Sequence, residues 1–300
     1  MKGIILAGGK GTRLYPMTKS VSKQLLPIYD KPLIYYPLSI LLLASIKEIL
    51  IISTPHDIGL YQELLGDGSK IGVKFSYVVQ NEPKGLGEAF ILGKEFIGND
   101  SVCLILGDNV FYGSDMTQTL IEAIENNEGA TIFGYPVKDP SSFGVVEFDQ
   151  KMNVISLEEK PKKPKSNYCV TGLYFYPKDV VKMAKKVKKS KRGEYEITAL
   201  NNLYIQAGRM HLTLLGRGYS WLDTGTPEAL NDACDYVKMI EEHQGIKMMC
   251  PEEIAYINRW IDKKTLIKIA NSMNKNDYGE HLMNVAKGKI LYASSIVNEK

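Results

Sequence analysis

Four near-continuous apolar runs mark the first part of the chain: Lys2–Ala7 (KGIILA), Glu48–Ser53 (EILIIS), and residues 73–80 and 101–106. Such runs predict short strands covered on both faces. Helical spacing of apolar positions fills the intervals, at residues 36–45, 58–65, 86–96 and 115–126. Strands alternating with helices predict βαβ units, a parallel sheet and right-handed crossovers. The rhythm changes after Ala130. Residues 130–137, 144–148, 154–159 and 168–176 read as strands with few helices between them, predicting antiparallel additions to the same sheet. Helical patterns return at 178–187 and 196–207, a strand pair ends near Leu222, and the pattern from Pro227 onward is mainly helical. The expected fold class is α/β: a Rossmann-like mixed, mostly parallel sheet flanked by helices, with a C-terminal helical appendage. Residues 1–226 form the α/β body. Residues 227–288 are a helical part packed on the core or on a partner subunit, and 289–300 are a tail.

Composition narrows the class only slightly. The 300 residues are 44% hydrophobic and 24% charged, which excludes a disordered chain. A net charge of +3, from 37 basic and 34 acidic residues, gives no reason to expect nucleic-acid or membrane binding. The basic run at 182–192 (KMAKKVKKSKR) reads as a solvated helix face and its exit loop, with a phosphate-attracting patch as the alternative. Cys103, Cys169, Cys234 and Cys250 form no CxxC pair, and His56, His211, His243 and His281 are scattered, so no zinc spacing exists. Free thiols fit a reducing compartment. The first apolar run is too short for a signal peptide, and no stretch reaches the ~20 apolar residues of a membrane span. The expected location is the cytoplasm.

The sharpest chemistry follows the first strand: Leu6-Ala7-Gly8-Gly9-Lys10-Gly11-Thr12-Arg13-Leu14. Glycines allow positive φ and close approach of backbone to a ligand, and successive N–H groups there can form an anion nest. Arg13 adds a cationic fork suited to phosphate oxygens. Lys23 lies ten residues on, in a loop able to fold back over the same anion. No GK[ST] ends this loop, so it is not a Walker A loop. Leu14 occupies the place of the third Rossmann glycine, and Asp30 sits in a proline-flanked loop (PIYDKP) instead of ending a second strand. Both points argue against a dinucleotide-dependent oxidoreductase.

Two aspartates stand out further along. Asp108 follows the strand VCLIL and a glycine, and Asp223 follows GYSWL and precedes Thr-Gly-Thr. Each would project from the carboxyl end of a strand, where open α/β sheets place ligands. Two carboxylates with phosphate oxygens and water suit octahedral magnesium.

The sequence LAGGxGTRL, followed by PxSKxLLP, resembles the signature of the sugar nucleotidyltransferase family. Gly107-Asp108-Asn109, Glu158-Glu159-Lys160-Pro161, Val170-Thr171-Gly172-Leu173-Tyr174 and Trp221-Leu222-Asp223-Thr224-Gly225 extend the resemblance in order, from Met1 to about Gly288. It implies a fold of the nucleotide-diphospho-sugar transferase type, with sugar-binding insertions in residues 1–226. It implies Mg²⁺ as cofactor on Asp108 and Asp223, and catalytic cations Arg13, Lys23 and Lys160. The nucleotide would lie on Gly8, Gly9, Gly11, Thr12, Arg13, Gln24, Gln80, Pro83, Gly85 and Leu86. The sugar phosphate would lie on Asn109, Gly144, Glu159, Lys160, Val170, Gly172, Tyr174 and Arg192, the last in the stretch KRGEYEIT with Glu194.

Gln80 offers one donor and one acceptor, a pair able to read the O4 and N3–H edge of thymine or uracil. The resemblance further implies dTTP and glucose 1-phosphate as substrates, the first step of dTDP-deoxysugar (rhamnose) synthesis, and a homotetramer. UTP-dependent or other sugar-1-phosphate nucleotidyl transfer is the alternative, because one methyl group is worth only ~1–3 kcal/mol in a pocket. A non-catalytic nucleotide-sugar sensor would not need both aspartates and all three cations. The whole reading requires Arg13, Lys23, Asp108 and Asp223 to share one cleft.

Overall fold

The computed structural model describes residues 1–125 and 128–290. In chain order the strands are β1 (Lys2–Ala7), β2 (Pro27–Ile28), β3 (Lys31–Pro32), β4 (Glu48–Ser53), β5 (Lys74–Val79), β6 (Val102–Leu106), β7 (Asn109–Gly113), β8 (Ala130–Pro136), β9 (Gly144–Phe148), β10 (Val154–Glu159), β11 (Tyr168–Tyr176), β12 (Met210–Leu214) and β13 (Tyr219–Asp223). The helices are α1 (Tyr35–Leu43), α2 (Ile58–Leu65), α3 (Ala89–Leu92), α4 (Lys94–Ile97), α5 (Met116–Glu125), α6 (Val180–Ala184), α7 (Ile197–Gln206), α8 (Pro227–Gln244), α9 (Pro251–Ile257), α10 (Lys263–Ser272) and α11 (Asp277–Ala286).

Nine strands form one sheet. Its main path runs β10-β9-β11-β6-β1-β4-β5, with β8 beside β11 and β12 beside β8. The pairs β1–β4, β1–β6 and β4–β5 are parallel, whereas β11 joins β6 and β8 antiparallel. The early βαβ half therefore carries a later antiparallel half on one side. Successive side chains of a strand point to opposite faces. Ile5 and Ala7 accordingly join the apolar core on one face, and Ile4 and Leu6 the core on the other. This double coverage explains why β1 is apolar at nearly every position. Helix α1 (YYPLSILLL) is apolar all round because it lies inside, with seven of its nine residues buried.

Three expectations differ from the structure. The helix expected at 86–96 is broken into a 3₁₀ turn, α3 and α4. Gly93 separates the two α segments, and a Cβ there would lie 3.1 Å from Leu50 and 3.2 Å from Ile4. The close approach to the sheet sets the residue type, and the helix yields to it. The expected helix at 178–187 ends at Ala184. The last two strands do not pair with each other: β12 joins β8 in parallel, and β13 joins β7 antiparallel in a separate two-stranded sheet. β7 itself was not foreseen, because NVFYG follows a Gly-Asp turn and is too short to show a period.

The C-terminal helices dock on the body. α9 packs on α1, and Asn258 donates to the carbonyl of Leu42 at 3.2 Å. Helix α8 starts at Thr226, whose side chain accepts from Ala229 N, with proline at its first turn, and it ends at Gly245 with φ 66°. A buried ring of charge fastens its far end. Lys31 bonds Asp30 at 2.6 Å and Glu241 at 2.7 Å, and Lys247 bonds the same two carboxylates at 2.7 and 2.8 Å. Two cations against two carboxylates leave no net buried charge, the condition under which such a group is tolerated. This ring fully engages Asp30. The expected tail lies mostly outside the described residues, which end at Ile290.

Candidate active site

The chain turns from β1 to β4 and β5 on one side, then returns to β6 on the other. That reversal lies between β1 and β6, and open α/β sheets bind ligands in the crevice outside the carboxyl ends of such strands. An open cleft of about 470 Å³ occupies this place. Its walls include Gly8, Gly9, Gly11, Thr12, Arg13, Lys23, Gln24, Gln80, Pro83, Gly85, Leu86, Asp108 and Gly225. All ten residues expected to hold the nucleotide are among them, as are Lys23 and Asp108.

The glycine loop is shaped by what surrounds it. Gly9 and Gly11 have φ of 104° and 57°, in the region that disfavours a side chain. At Gly8 the constraint is contact: a Cβ would sit 2.8 Å from the amide oxygen of Gln80. The Thr18 hydroxyl donates to the carbonyl of Gly11 at 2.7 Å and holds the loop from behind. The short turn Thr12–Leu14 buries Leu14 and leaves Thr12 and Arg13 exposed on the cleft side.

Lys23 and Gln24 arrive on a second turn, Lys23–Leu25, with both side chains buried. Lys23 Nζ bonds Asp108 Oδ2 at 2.8 Å. The amide oxygen of Gln24 accepts from Ser22 Oγ at 2.8 Å and from Tyr61 OH at 3.4 Å. These bonds turn its NH₂ end away from the hydroxyls, as a neutral donor for the cleft. Tyr61 was not foreseen, because α2 reads as ordinary amphipathic helix and its partners come from a distant loop.

The opposite wall is built by pairing two loops. Tyr195 N donates to Lys84 O at 2.7 Å, and Gly87 N donates to Tyr195 O at 2.9 Å. This brings Glu194 and Glu196 to the cleft alongside Gly85 and Leu86. Glu196 was missed from the sequence, although Glu194-Tyr195-Glu196 alternates as an extended segment should. Arg192 does not line the cleft. It is exposed and pairs with Glu194 at 3.2 Å and Glu196 at 3.7 Å. The remainder of the basic run brings no other side chain to the cleft wall.

The two aspartates come together beside the cleft, Asp108 among its lining residues and Asp223 against Gly225, which also lines it. Asp223 ends β13 opposite Asn109 on β7, and the Thr224 hydroxyl donates to Asp108 O at 2.9 Å. Burial raises the Asp223 pKa, the Asp108 carboxylate raises it further, and Lys23, Arg13 and Lys160 pull it down. All four groups therefore act on one carboxyl. A Cβ on Gly225 would lie 2.8 Å from Asp223 Oδ2 and 3.0 Å from Arg13 Nη2, so both side chains converge over that glycine. A buried carboxyl with a second carboxylate close by offers oxygen donors of the kind a hard divalent cation takes.

The residues expected on the sugar side lie beyond this cleft wall. Asn109 is 2% exposed and lies beneath Asp108. Its amide oxygen accepts from Gly172 N at 3.1 Å and Trp221 Nε1 at 2.6 Å, and its NH₂ donates to Asp108 Oδ1 at 3.0 Å. It thus orients the Asp108 carboxylate. Glu159 accepts from the Thr198 hydroxyl at 2.6 Å, and both oxygens lie about as near as van der Waals contact to a Cβ built on Gly144. Lys160 has φ 46°, and its N–H donates to Phe143 O at 3.0 Å. Glu158 turns outward to Lys165 at 3.2 Å, as strand alternation predicts. Val170 and Tyr174 are buried on β11, where Tyr174 stacks on Tyr176 with ring centroids 6.2 Å apart. Burial, then the charge of Glu159, push the Tyr174 phenol up.

Residues far apart in sequence also meet away from the cleft. Cys250, Glu253 and His281 place their ligating atoms within 4.8 Å of one another. His281 bonds Glu253 at 2.7 Å, and Cys250 Sγ lies 3.1 Å from Tyr278 OH. Hydrogen bonds thus account for every member of the group.

The Asp223 shift has a thermodynamic consequence. Its native pKa lies above its unfolded value, so its protonation favours the native state. That stabilisation is full below the ordinary carboxylate pKa of about 4 and is lost as pH rises through the raised native value. Above that raised native value the ionised Asp223 destabilises the metal-free fold. Asp223→Asn is therefore expected to melt at or above wild type in EDTA at neutral pH, with the gap closing toward pH ~4. A lower neutral melting temperature for Asp223→Asn contradicts this electrostatic account.

Comparison with known proteins agrees with the architecture. The nucleotidyl transferase family model matches residues 2–239. A glucose-1-phosphate thymidylyltransferase of Neisseria meningitidis is 54% identical over 287 residues, covering 96% of this chain and 100% of that protein. Its counterpart in Mycobacterium tuberculosis is 52% identical over 94% of this chain and 98% of its own length. A Bacillus anthracis crystal structure in complex with sucrose, designated a glucose-1-phosphate thymidylyltransferase, superposes with a TM-score of 0.73 at 41% identity, covering 79% of this chain and 94% of that one. UDP-glucose pyrophosphorylase complexed with UDP-glucose superposes with a TM-score of 0.68 at 26% identity, covering 80% and 98%. With a glycine loop, paired aspartates and a crevice between β1 and β6, this chain belongs to the nucleotidyl transferase family.

Proposed function

We propose that this protein transfers the dTMP group from dTTP to α-D-glucose 1-phosphate, giving dTDP-glucose and pyrophosphate, as the first step of dTDP-deoxysugar (rhamnose) synthesis. One observation carries the reading: Arg13, Lys23 and Asp108 line one cleft with the glycine loop, and Asp223 converges with Arg13 on Gly225 of the same cleft. The relatives that match this chain over nearly their full length carry that activity in their names.

The reaction is an in-line displacement. A phosphate oxygen of the sugar phosphate attacks the α-phosphorus of dTTP, the new P–O bond forms, and the bond to pyrophosphate breaks. The nucleophile is already an anion, so no side chain needs to remove a proton. The difficulty is bringing two polyanions together: unit charges ~4 Å apart interact by ~4 kcal/mol at an effective dielectric of 20. Arg13 and the loop N–H groups offset charge on the triphosphate, Gln24 donates to it, and Lys23 and Lys160 face the reacting phosphates. Gln80 meets the base edge, with Pro83, Gly85 and Leu86 packing beside it. Glu159 takes sugar hydroxyls, with Gly144 leaving room for the ring and Gly172, Val170 and Tyr174 forming the wall behind. Asp108 and Asp223 would hold Mg²⁺, which would neutralise phosphate charge and polarise the P–O bonds. Lys23 is held against Asp108 at 2.8 Å, which keeps its cation beside the place of the phosphates.

The body responsible for this chemistry is residues 1–226, and residues 227–288 brace it through α8 and α9. The protein works in the cytoplasm as a homotetramer, a proposal resting on family resemblance. Among the described residues no helix is long and apolar enough to cross a membrane. A second reading, with UTP as the donor, draws on the structural likeness to the UDP-glucose-bound pyrophosphorylase.

Pyrophosphate release from dTTP, UTP, dCTP and ATP with glucose 1-phosphate separates these readings. We expect dTTP to give the highest kcat/KM, EDTA to abolish turnover and Mg²⁺ to restore it. A preference for UTP favours the second reading, and full turnover without divalent metal removes Asp108 and Asp223 from the metal role. Arg13→Ala should keep the fold, by circular dichroism, and lose ~10²–10³-fold in kcat, as when one preorganised donor is removed. Near-normal turnover in that variant contradicts the role given to Arg13.

A further inference from the structure

We propose that Glu88 is a positioning residue that locks the amide of Gln80 and thereby makes the cleft select the imide edge of thymine or uracil against the amino edge of cytosine. The inference rests on the function proposed above and deepens its specificity.

Gln80 is 5% exposed, at the end of β5, and lines the cleft. A glutamine amide is nearly symmetric in shape, yet its two ends carry opposite hydrogen-bonding character. Left alone, it can turn over and read either a thymine or a cytosine. For thymine the central N3–H donates and O4 accepts. For cytosine the central N3 accepts and the amino group donates. An amide that flips satisfies both patterns from the same place, so discrimination requires something that prevents the flip.

Glu88 supplies that constraint. It sits on the turn Leu86–Glu88, which Gly87 N ties to Tyr195 O at 2.9 Å. Its Oε2 accepts from Gln80 Nε2 at 2.8 Å. A carboxylate has only acceptors, so the NH₂ end of Gln80 must face it. The other end, Oε1, then sits over Gly8, 2.8 Å from where a Cβ would be. The absence of a side chain at Gly8 gives that oxygen its place. The cleft thus presents a fixed acceptor, complementary to the N3–H of thymine or uracil and opposed to the N3 lone pair of cytosine. Uracil carries the same edge, so the lock excludes cytosine and leaves the thymine–uracil choice to other contacts.

The test measures kcat and KM for dTTP and dCTP with glucose 1-phosphate in wild type, Glu88→Gln, Gln80→Ala and the double variant. Glu88→Gln is nearly isosteric but can either donate or accept, which releases the flip. The dTTP-to-dCTP ratio of kcat/KM should fall at least ~10-fold, the size of one well-formed base-edge contact. The change should appear as a higher KM for dTTP and a lower KM for dCTP. In the Gln80→Ala background the same substitution should leave the ratio where it was. Glu88→Ala should move the ratio in the same direction, which covers the case where the glutamine variant does not accumulate as folded protein. A wild type that prefers dTTP, with the ratio unmoved by either Glu88 substitution, overturns the lock and leaves the proposed function standing. A wild type that does not use dTTP overturns the proposed function, and the lock with it.

Discussion

One buried carboxyl beside this protein's cleft, Asp223, carries the repulsion of Asp108 and the pull of three cations, and the surrounding structure holds that balance. Asp108 raises the pKa of Asp223, burial raises it more, and three cations draw it back. Such an arrangement is costly for the fold once the carboxyl ionises. Hydrogen bonds hold it in place. Asn109, gripped by Gly172 N and Trp221 Nε1, fixes Asp108 from below. The β7–β13 ladder fixes the strand that carries Asp223. Stability is supplied elsewhere, by a parallel sheet covered on both faces and by the Lys31–Asp30–Lys247–Glu241 ring that fastens α8.

The two ends proposed for the nucleotide fit the division of the walls. The phosphate side is made of backbone and short turns, where N–H groups can approach an anion without a side chain between. The far side is made of loops cross-linked by backbone hydrogen bonds between residues 84–87 and Tyr195. That cross-link holds Glu88, Glu194 and Glu196 on one pair of loops. The acidic rim also pairs with Arg192, which keeps that arginine one contact away from the cleft.

Much of this was legible in the sequence, for identifiable reasons. The glycine loop is contiguous, and its function needs only local backbone freedom, so Gly8 to Arg13 declare it directly. The strands β1, β4 and β6 are buried on both faces and read as unbroken apolar runs. Asp108 follows such a run and Asp223 ends the strand-like stretch GYSWL, so their projection from strand ends could be anticipated. Residues whose roles depend on distant partners were not legible. Tyr61 matters because it reaches Gln24 and Ser22; Asn109 is expected on the sugar phosphate, but its bonds to Trp221, Gly172 and Asp108 leave no mark in the sequence. Glu88 matters because it is 2.8 Å from Gln80. None of these contacts has a period or a spacing. The break at Gly93 and the separate β7–β13 sheet escaped for the same reason, since close packing and long-range pairing overrode the local pattern.

The central claim is that Asp108 and Asp223 act together on one divalent ion. Manganese binding followed by water-proton relaxation, with nucleotide present, tests it without turnover. The account predicts one site in wild type, and affinity lower by at least about tenfold in both Asp108→Asn and Asp223→Asn, as loss of a charged ligand from an oxygen cage entails. Wild-type affinity in either variant would contradict it.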